Sequence, residues 1–136
     1  MSSVSPRLRR LVTRRAADRC EYCLLAQIGQ EATFHVDHII PEAHGGKTEE
    51  DNLALACVSC SLRKEARQAA VDLETNKRVP LFHPRRDVWN EHFRWHEVEI
   101  EGITAKGRAT VHALKMNRSS ILVIREEETL RGRHPP

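Results

Sequence analysis

Aromatic side chains are scarce: two tryptophans, one tyrosine and three phenylalanines in 136 residues. The apolar fraction is modest at 40%. A core can form, but it is small for a chain of about one domain, and a structural metal would add stability that apolar burial does not supply. No run approaches the ~20 apolar residues that a membrane-spanning helix needs, and no secretory leader is read at the start. Together these absences exclude a helical membrane span and set an intracellular, cytoplasmic setting as the expectation. Low-complexity tracts are also missing. Acidic residues are nearly missing from the first twenty positions, where Asp18 alone opposes Arg7, Arg9, Arg10, Arg14, Arg15 and Arg19. The net charge of +3 says little by itself. A local cationic cluster, by contrast, attracts polyanions and releases their counterions, although a solvated helix face is the plainer reading of a charge run taken alone.

Cysteine is present four times, as Cys20-x-x-Cys23 and Cys57-x-x-Cys60, with 33 residues between the inner pair. In a reducing compartment such pairs point to metal rather than disulfides. Two intervening residues let both thiolates of a pair reach one ion from a tight turn, and two turns complete a tetrahedral four-sulfur shell. Such a shell has no open position, so zinc held there is structural. Four unrelated buried cysteines would not repeat one spacing, and a redox pair normally sits in a βαβ pattern that this sequence lacks.

Ser5-Pro6 reads as an N-cap and first helical position, and Leu8, Leu11, Val12 and Ala16 recur at helical spacing. Residues 6–18 are therefore predicted as an amphipathic helix with a basic outer face. Residues 33–40 are β-rich and stop at Pro41, residues 42–52 read as a loop, and the second cysteine pair opens another helix. Leu62, Ala66, Ala69, Ala70 and Leu73 carry helical spacing onward until Asn76 and Pro80, with Ser59 or Ser61 as the cap. Residues 79–96 read as irregular, with Trp89, Phe93 and Trp95 packing the extension onto the core and His92 carried along. Val98, Ile100 and Ile103 suggest a short strand, and residues 104–130 return to helix with a break near Asn117–Ser120.

Between the cysteine pairs lies Asp37-His38. Neighbouring strand residues point to opposite sides, so the two can face a metal and a water on either side of a bound phosphate. Phosphodiester hydrolysis needs a base to activate water and a cation to stabilise the developing charge. His38 suits the first role, since neutral imidazole is available near pH 7. Asp37 suits the second as a hard oxygen ligand.

At this point the chain resembles the HNH endonuclease family. The resemblance rests on Cys20-Glu21-Tyr22-Cys23, His35-Val36-Asp37-His38-Ile39-Ile40-Pro41, Gly45-Gly46, Asp51-Asn52-Leu53 and Cys57-Val58-Ser59-Cys60, and covers residues 17–67. It implies an α+β fold built on a small ββα-metal core, two short strands, a loop and a helix around one divalent cation. His38 then matches the general base, Asp37 a metal ligand, and Asn52 the middle asparagine that ties the loop near the base. The cysteines match structural zinc knuckles. Where the family usually carries His or Asn after the second knuckle, this chain has Ser61. Glu65, one helical turn further, is the expected replacement ligand, with Ser61 acting through water or as a cap. Oxygen ligands and waters favour Mg2+ or Mn2+ over zinc there.

On this reading the whole chain, 1–136, is one domain: a basic helix segment (6–19), a knuckle-stapled core (20–67) and a mixed strand and helix extension (68–136). DNA would be held mainly through its phosphates by Arg7, Arg10, Arg14, Lys47, Arg63, Lys64 and Arg67. His35 is expected behind the site or packed at the zinc module, and His44 in an exposed loop. The extension offers Ala109, Leu114, Met116 and Ile121–Ile124 for packing or for an oligomeric contact. A non-catalytic zinc-binding nucleic-acid module on the same scaffold is the alternative.

Overall fold

The computed structural model describes residues 4–136. Ser5 caps the first helix, α1 (Pro6–Arg15), its Oγ accepting a 3.2 Å hydrogen bond from the Leu8 amide, and Pro6 occupies the first turn. Such a cap contributes about 1 kcal/mol. The helix stops short of the predicted residue 18 because Ala17 and Asp18 adopt left-handed conformations, φ 54° and 60°. Val12 is buried, and Arg15 donates to the carbonyls of Glu50 and Leu53 at 3.0 and 2.7 Å, which fastens the helix to that later segment of the chain.

Strand β1 (His35–His38) pairs antiparallel with β2 (Leu53–Ala56), His35 opposite Ala56 and His38 opposite Leu53. The apolar run Leu53-Ala54-Leu55-Ala56 is buried throughout, as a strand covered on both faces should be. Helix α2 (Val58–Lys64) follows directly. Its cap is Cys57, whose Sγ accepts from the Cys60 amide at 3.4 Å, rather than either serine. These elements belong to the first of two compact units, residues up to Gln68 together with His83–Arg86.

The long second helix predicted to Asn76 is not formed. Glu65 leaves the helix at φ 49°, ψ −125°. Ala69–Asp72 (β3) and Lys77–Pro80 (β4) then make an antiparallel hairpin that turns through Asn76 at φ 59°. The apolar stripe fails as a helix face: Leu62 and Leu73 are 60% and 65% exposed. The turn is fixed instead by Asp72, which accepts from the Glu74 amide and the Thr75 hydroxyl at 3.3 and 2.7 Å.

The second unit comprises residues 69–82 and 87–136. The stretch expected to be irregular is ordered as β4, a one-turn α3 (Trp89–His92) and β5 (Phe93–His96). β5 pairs with β6 (Glu99–Gly102), and α4 (Ala105–Ala113) and α5 (Ser119–Leu130) flank the predicted break. Ala70, Leu81, Ala109 and Ala113 form a core with Val79 against it. Trp89 stacks on Phe93 and Trp95, with ring centroids 5.0 and 5.5 Å apart, all inside this unit. His92 is held there by Thr104, Nδ1 to Oγ1 2.7 Å. Leu114, Met116 and Ile121 are buried, whereas Val123 remains 64% exposed. The fold class is α+β, with three two-stranded sheets among the described residues. Among the described residues no helix is long and apolar enough to cross a membrane.

Candidate metal and catalytic centre

The four cysteine sulfurs all lie within 4.8 Å of one another, and all four residues are buried. The two turns are built alike. The Cys23 amide donates to Cys20 Sγ at 3.5 Å, as the Cys60 amide does to Cys57 Sγ. Across the turns Cys23 Sγ and Cys57 Sγ are 3.7 Å apart. Burial pushes the Cys20 thiol well above its ordinary value, whereas hydrogen bonds from the other cysteines hold Cys23 well below its own. Four convergent sulfurs with no open position fit a closed structural metal site.

One groove in the same unit is lined by His35, Asp37, His38, Ser61 and Glu65, with Arg9 at its edge. Strand alternation sends the two central side chains different ways. Asp37 turns to Tyr22 and Lys64: its Oδ2 accepts from the Tyr22 hydroxyl at 2.8 Å and lies 3.2 Å from Lys64 Nζ. Burial pushes the Asp37 carboxyl up, opposed by the Lys64 ammonium and the Tyr22 hydrogen bond. Burial raises the Tyr22 phenol well above its usual range, so it remains a donor. His38 turns to the loop, its Nε2 2.8 Å from Thr48 Oγ1 and 3.8 Å from Glu42 Oε1. Both of these contacts fall on Nε2.

The loop behind His38 is closed by Asn52. Its Oδ1 accepts from the Ile40 amide, and its Nδ2 donates to the carbonyls of Ile40 and Lys47. Gly46 permits this approach, since a β-carbon there would stand 1.7 Å from the Ile40 carbonyl oxygen.

On the helix side, Ser61 Oγ sits 2.9 Å from His35 Nδ1. His35 is therefore part of the groove wall. Glu65 is exposed beyond the last helical residue, and its amide bonds to the Ser61 carbonyl at 3.0 Å. Hard oxygen donors thus line the groove in Asp37, Ser61 and Glu65. Both polar contacts of Asp37 fall on Oδ2, so Oδ1 is left for a cation. This donor chemistry fits a divalent ion of the magnesium or manganese kind.

Among the residues expected to meet phosphate, Arg7, Arg10, Arg14, Lys47 and Arg67 are exposed and Arg63 is half-buried. Lys64 is the exception. Its side chain is 2% exposed, and its ammonium donates to the His38 carbonyl at 3.1 Å besides pairing with Asp37. It faces inward because a buried carboxylate supplies the counter-charge, and the reading of Lys64 as a surface phosphate contact is corrected accordingly. Tyr22 and Thr48 were not singled out from sequence. A phenol between two buried cysteines needs a hydrogen-bond partner, and that was the available signal for Tyr22.

Residues 20–67, which contain the cysteines and every polar group of the groove except Arg9, belong to the HNH endonuclease family. Beyond the domain itself, the chain is similar to the Septu protein PtuA of Bacillus mycoides (strain KBAB4). The two are 31% identical over 108 residues, covering 71% of this chain and 15% of that protein. The chain therefore spans a small part of that relative's length. No solved structure matches it.

Proposed function

We propose that this chain is a divalent-metal-dependent endonuclease that hydrolyses phosphodiester bonds in DNA. The observation that carries this reading is the placement of His38, Asp37, Ser61 and Glu65 on one groove beside the four-sulfur site. His38 is the general base. With its Nε2 hydrogen on Thr48 Oγ1, Nδ1 holds the lone pair that takes a proton from the attacking water. Glu42 Oε1 lies 3.8 Å from the same Nε2. Asp37 through Oδ1, with Glu65 and Ser61, would hold Mg2+ or Mn2+, which when bound stabilises the charge developing on phosphate and leaving oxygen. Asn52 keeps the His38 loop in place. Zinc fills the cysteine site and staples the first knuckle to the start of α2. Reduced thiols around one ion suit the cytoplasm.

DNA is engaged through its phosphates by Arg7, Arg10, Arg14, Lys47, Arg63 and Arg67, so sequence preference is weak. Two features favour a second reading, that of a nucleic-acid-binding module without hydrolysis. Asp37 already carries a counter-charge in Lys64, and the helix position that would add a nitrogen ligand holds Ser61. Supercoiled plasmid incubated with the zinc-loaded protein across several divalent cations separates the two. Nicking that depends on Mg2+ or Mn2+ and vanishes in His38→Ala, with zinc content and fold retained, supports hydrolysis. Plasmid retarded in a gel yet left uncut by the wild type overturns it in favour of the binding module.

A further inference from the structure

We propose that Tyr22 and Lys64 are positioning residues that aim the Asp37 carboxylate at the cation, which ties the catalytic centre to the two cysteine turns. The proposal rests on the reading of Asp37 as a metal ligand. Both residues act on one oxygen, Oδ2: the Tyr22 hydroxyl at 2.8 Å and the Lys64 ammonium at 3.2 Å. A carboxylate held by two donors on one oxygen cannot rotate freely, so Oδ1 presents a fixed direction to the groove.

Both donors are themselves immobilised. Tyr22 is 1% exposed and lies inside the first knuckle, between Cys20 and Cys23. Lys64 is 2% exposed and closes α2, the helix that Cys57 caps and Cys60 enters. A second Lys64 bond, to the His38 carbonyl at 3.1 Å, places the same ammonium behind the general base. The ion held by the cysteines thus fixes two segments, and each delivers one donor to the same carboxylate oxygen. Hydrogen-bond partners behind a metal ligand commonly change metal affinity or activity by roughly 10- to 100-fold when removed.

Tyr22→Phe is the cleanest probe, because it deletes one hydroxyl, keeps the ring and changes no charge. The measurement is Mn2+ titration of the zinc-loaded full chain by electron paramagnetic resonance, with Asp37→Asn alongside. Wild type binds Mn2+ at a site that Asp37→Asn loses. Tyr22→Phe binds it about tenfold more weakly at unchanged zinc content, and plasmid nicking by the variant recovers as Mn2+ is raised. A loss of activity through mere loosening of the fold would not recover in this way. Mn2+ affinity equal to wild type in Tyr22→Phe overturns the proposal while leaving Asp37 as a ligand. Equal binding by wild type and Asp37→Asn removes Asp37 from the metal site, and both readings fall.

A second measurement needs no Tyr22 variant. Tyr22 is the only tyrosine, so the Raman tyrosine doublet, whose intensity ratio reports phenol hydrogen bonding, is specific to it. Filling the site draws electron density from the carboxylate and shifts that ratio in wild type, with no shift in Asp37→Asn. An unchanged doublet in wild type at Mn2+ concentrations that fill the site overturns the proposal as well.

Discussion

Asn52 grips both hydrogen-bonding groups of Ile40, accepting from its amide at 2.8 Å and donating to its carbonyl at 3.0 Å. Ile40 stands two residues beyond His38, so this one side chain fixes where the loop after His38 leaves the strand. Asn52 is 7% exposed, and its removal leaves the Ile40 amide and the Ile40 and Lys47 carbonyls without this partner. Asn52→Ala is expected to lower the stability of the zinc-loaded protein by about 3 kcal/mol, the sum of several unmade bonds at about 1 kcal/mol or more each. Asn52→Asp keeps the acceptor but turns a carboxylate oxygen toward the Ile40 and Lys47 carbonyls, and should be no more stable than Asn52→Ala. Chemical denaturation of the three proteins checks the order.

Gly46 gives the same loop a steric test. A methyl group there meets the Ile40 carbonyl oxygen at 1.7 Å and Asn52 Nδ2 at 2.8 Å, and neither can give way without breaking the clip. Gly46→Ala should therefore reduce plasmid nicking with little change in zinc content. Gly45→Ala is the contrast: its β-carbon meets nothing within 4 Å, but φ is +87°, so only modest backbone strain is added. If Gly46→Ala nicks as fast as wild type, the loop is not tied to the base.

Zinc removal should destabilise the fold itself. A structural four-cysteine zinc contributes about 10 kcal/mol or more of apparent binding energy near neutral pH, comparable with the whole stability of an ordinary domain. Chelation, or Cys57→Ser, which removes a ligand while keeping a capping side chain for α2, is expected to unfold the ββα segment. Backbone amide exchange of β1, β2 and α2 measures it. Protection that persists in the metal-free protein would show that packing alone suffices.

Local features were the legible ones in the sequence. The knuckle spacing and Ser5-Pro6 are read from neighbours within a turn, and the structure caps α1 with Ser5 and brings the four cysteines together. The extended second helix was misread because Leu62, Ala66, Ala69 and Leu73 satisfy helical spacing, while the deciding contact is remote. Asp72 is anchored by Arg108, 36 residues away, besides the local bonds to Glu74 and Thr75 that fix its turn. Lys64 was hidden for the same reason. Flanked by Arg63 and Arg67 it reads as one more surface cation, and only the distant Asp37 explains its burial.

The Asp72–Arg108 pair also sets an acid response. Both Asp72 oxygens lie 3.0 Å from the guanidinium, and the Arg108 hydrogen bonds hold the buried carboxyl well below the usual carboxylate range. Because the folded-state value is depressed, the pair's contribution is fully present above the unfolded carboxyl value near 3.9. It is lost as pH falls from there toward the folded value. Asp72→Asn should therefore be less stable than wild type by a constant margin above about pH 5, with the two curves converging in stronger acid. Fluorescence of Trp89 and Trp95, both in this unit, follows the transition. A margin that widens as pH falls would contradict the assignment.

The arginines of α1 divide by what they already hold, and salt dependence exposes the division. Arg15 donates to Glu50 and Leu53, so Arg15→Ala should lower thermal stability. Arg10 and Arg14 are exposed on a shallow face with Thr13 and Asp18, and their loss should leave the melting temperature nearly unchanged. On DNA the expectation reverses. Each phosphate contact contributes roughly 0.9 to the slope of log K against log salt concentration. Removing Arg10 and Arg14 together should therefore flatten that slope by about 1.8 and weaken binding alike on unrelated duplexes. Fluorescence anisotropy over a salt series, on two unrelated duplexes, measures both quantities. An unchanged slope in the double variant would take α1 out of the DNA path and leave Lys47, Arg63 and Arg67 to carry the backbone.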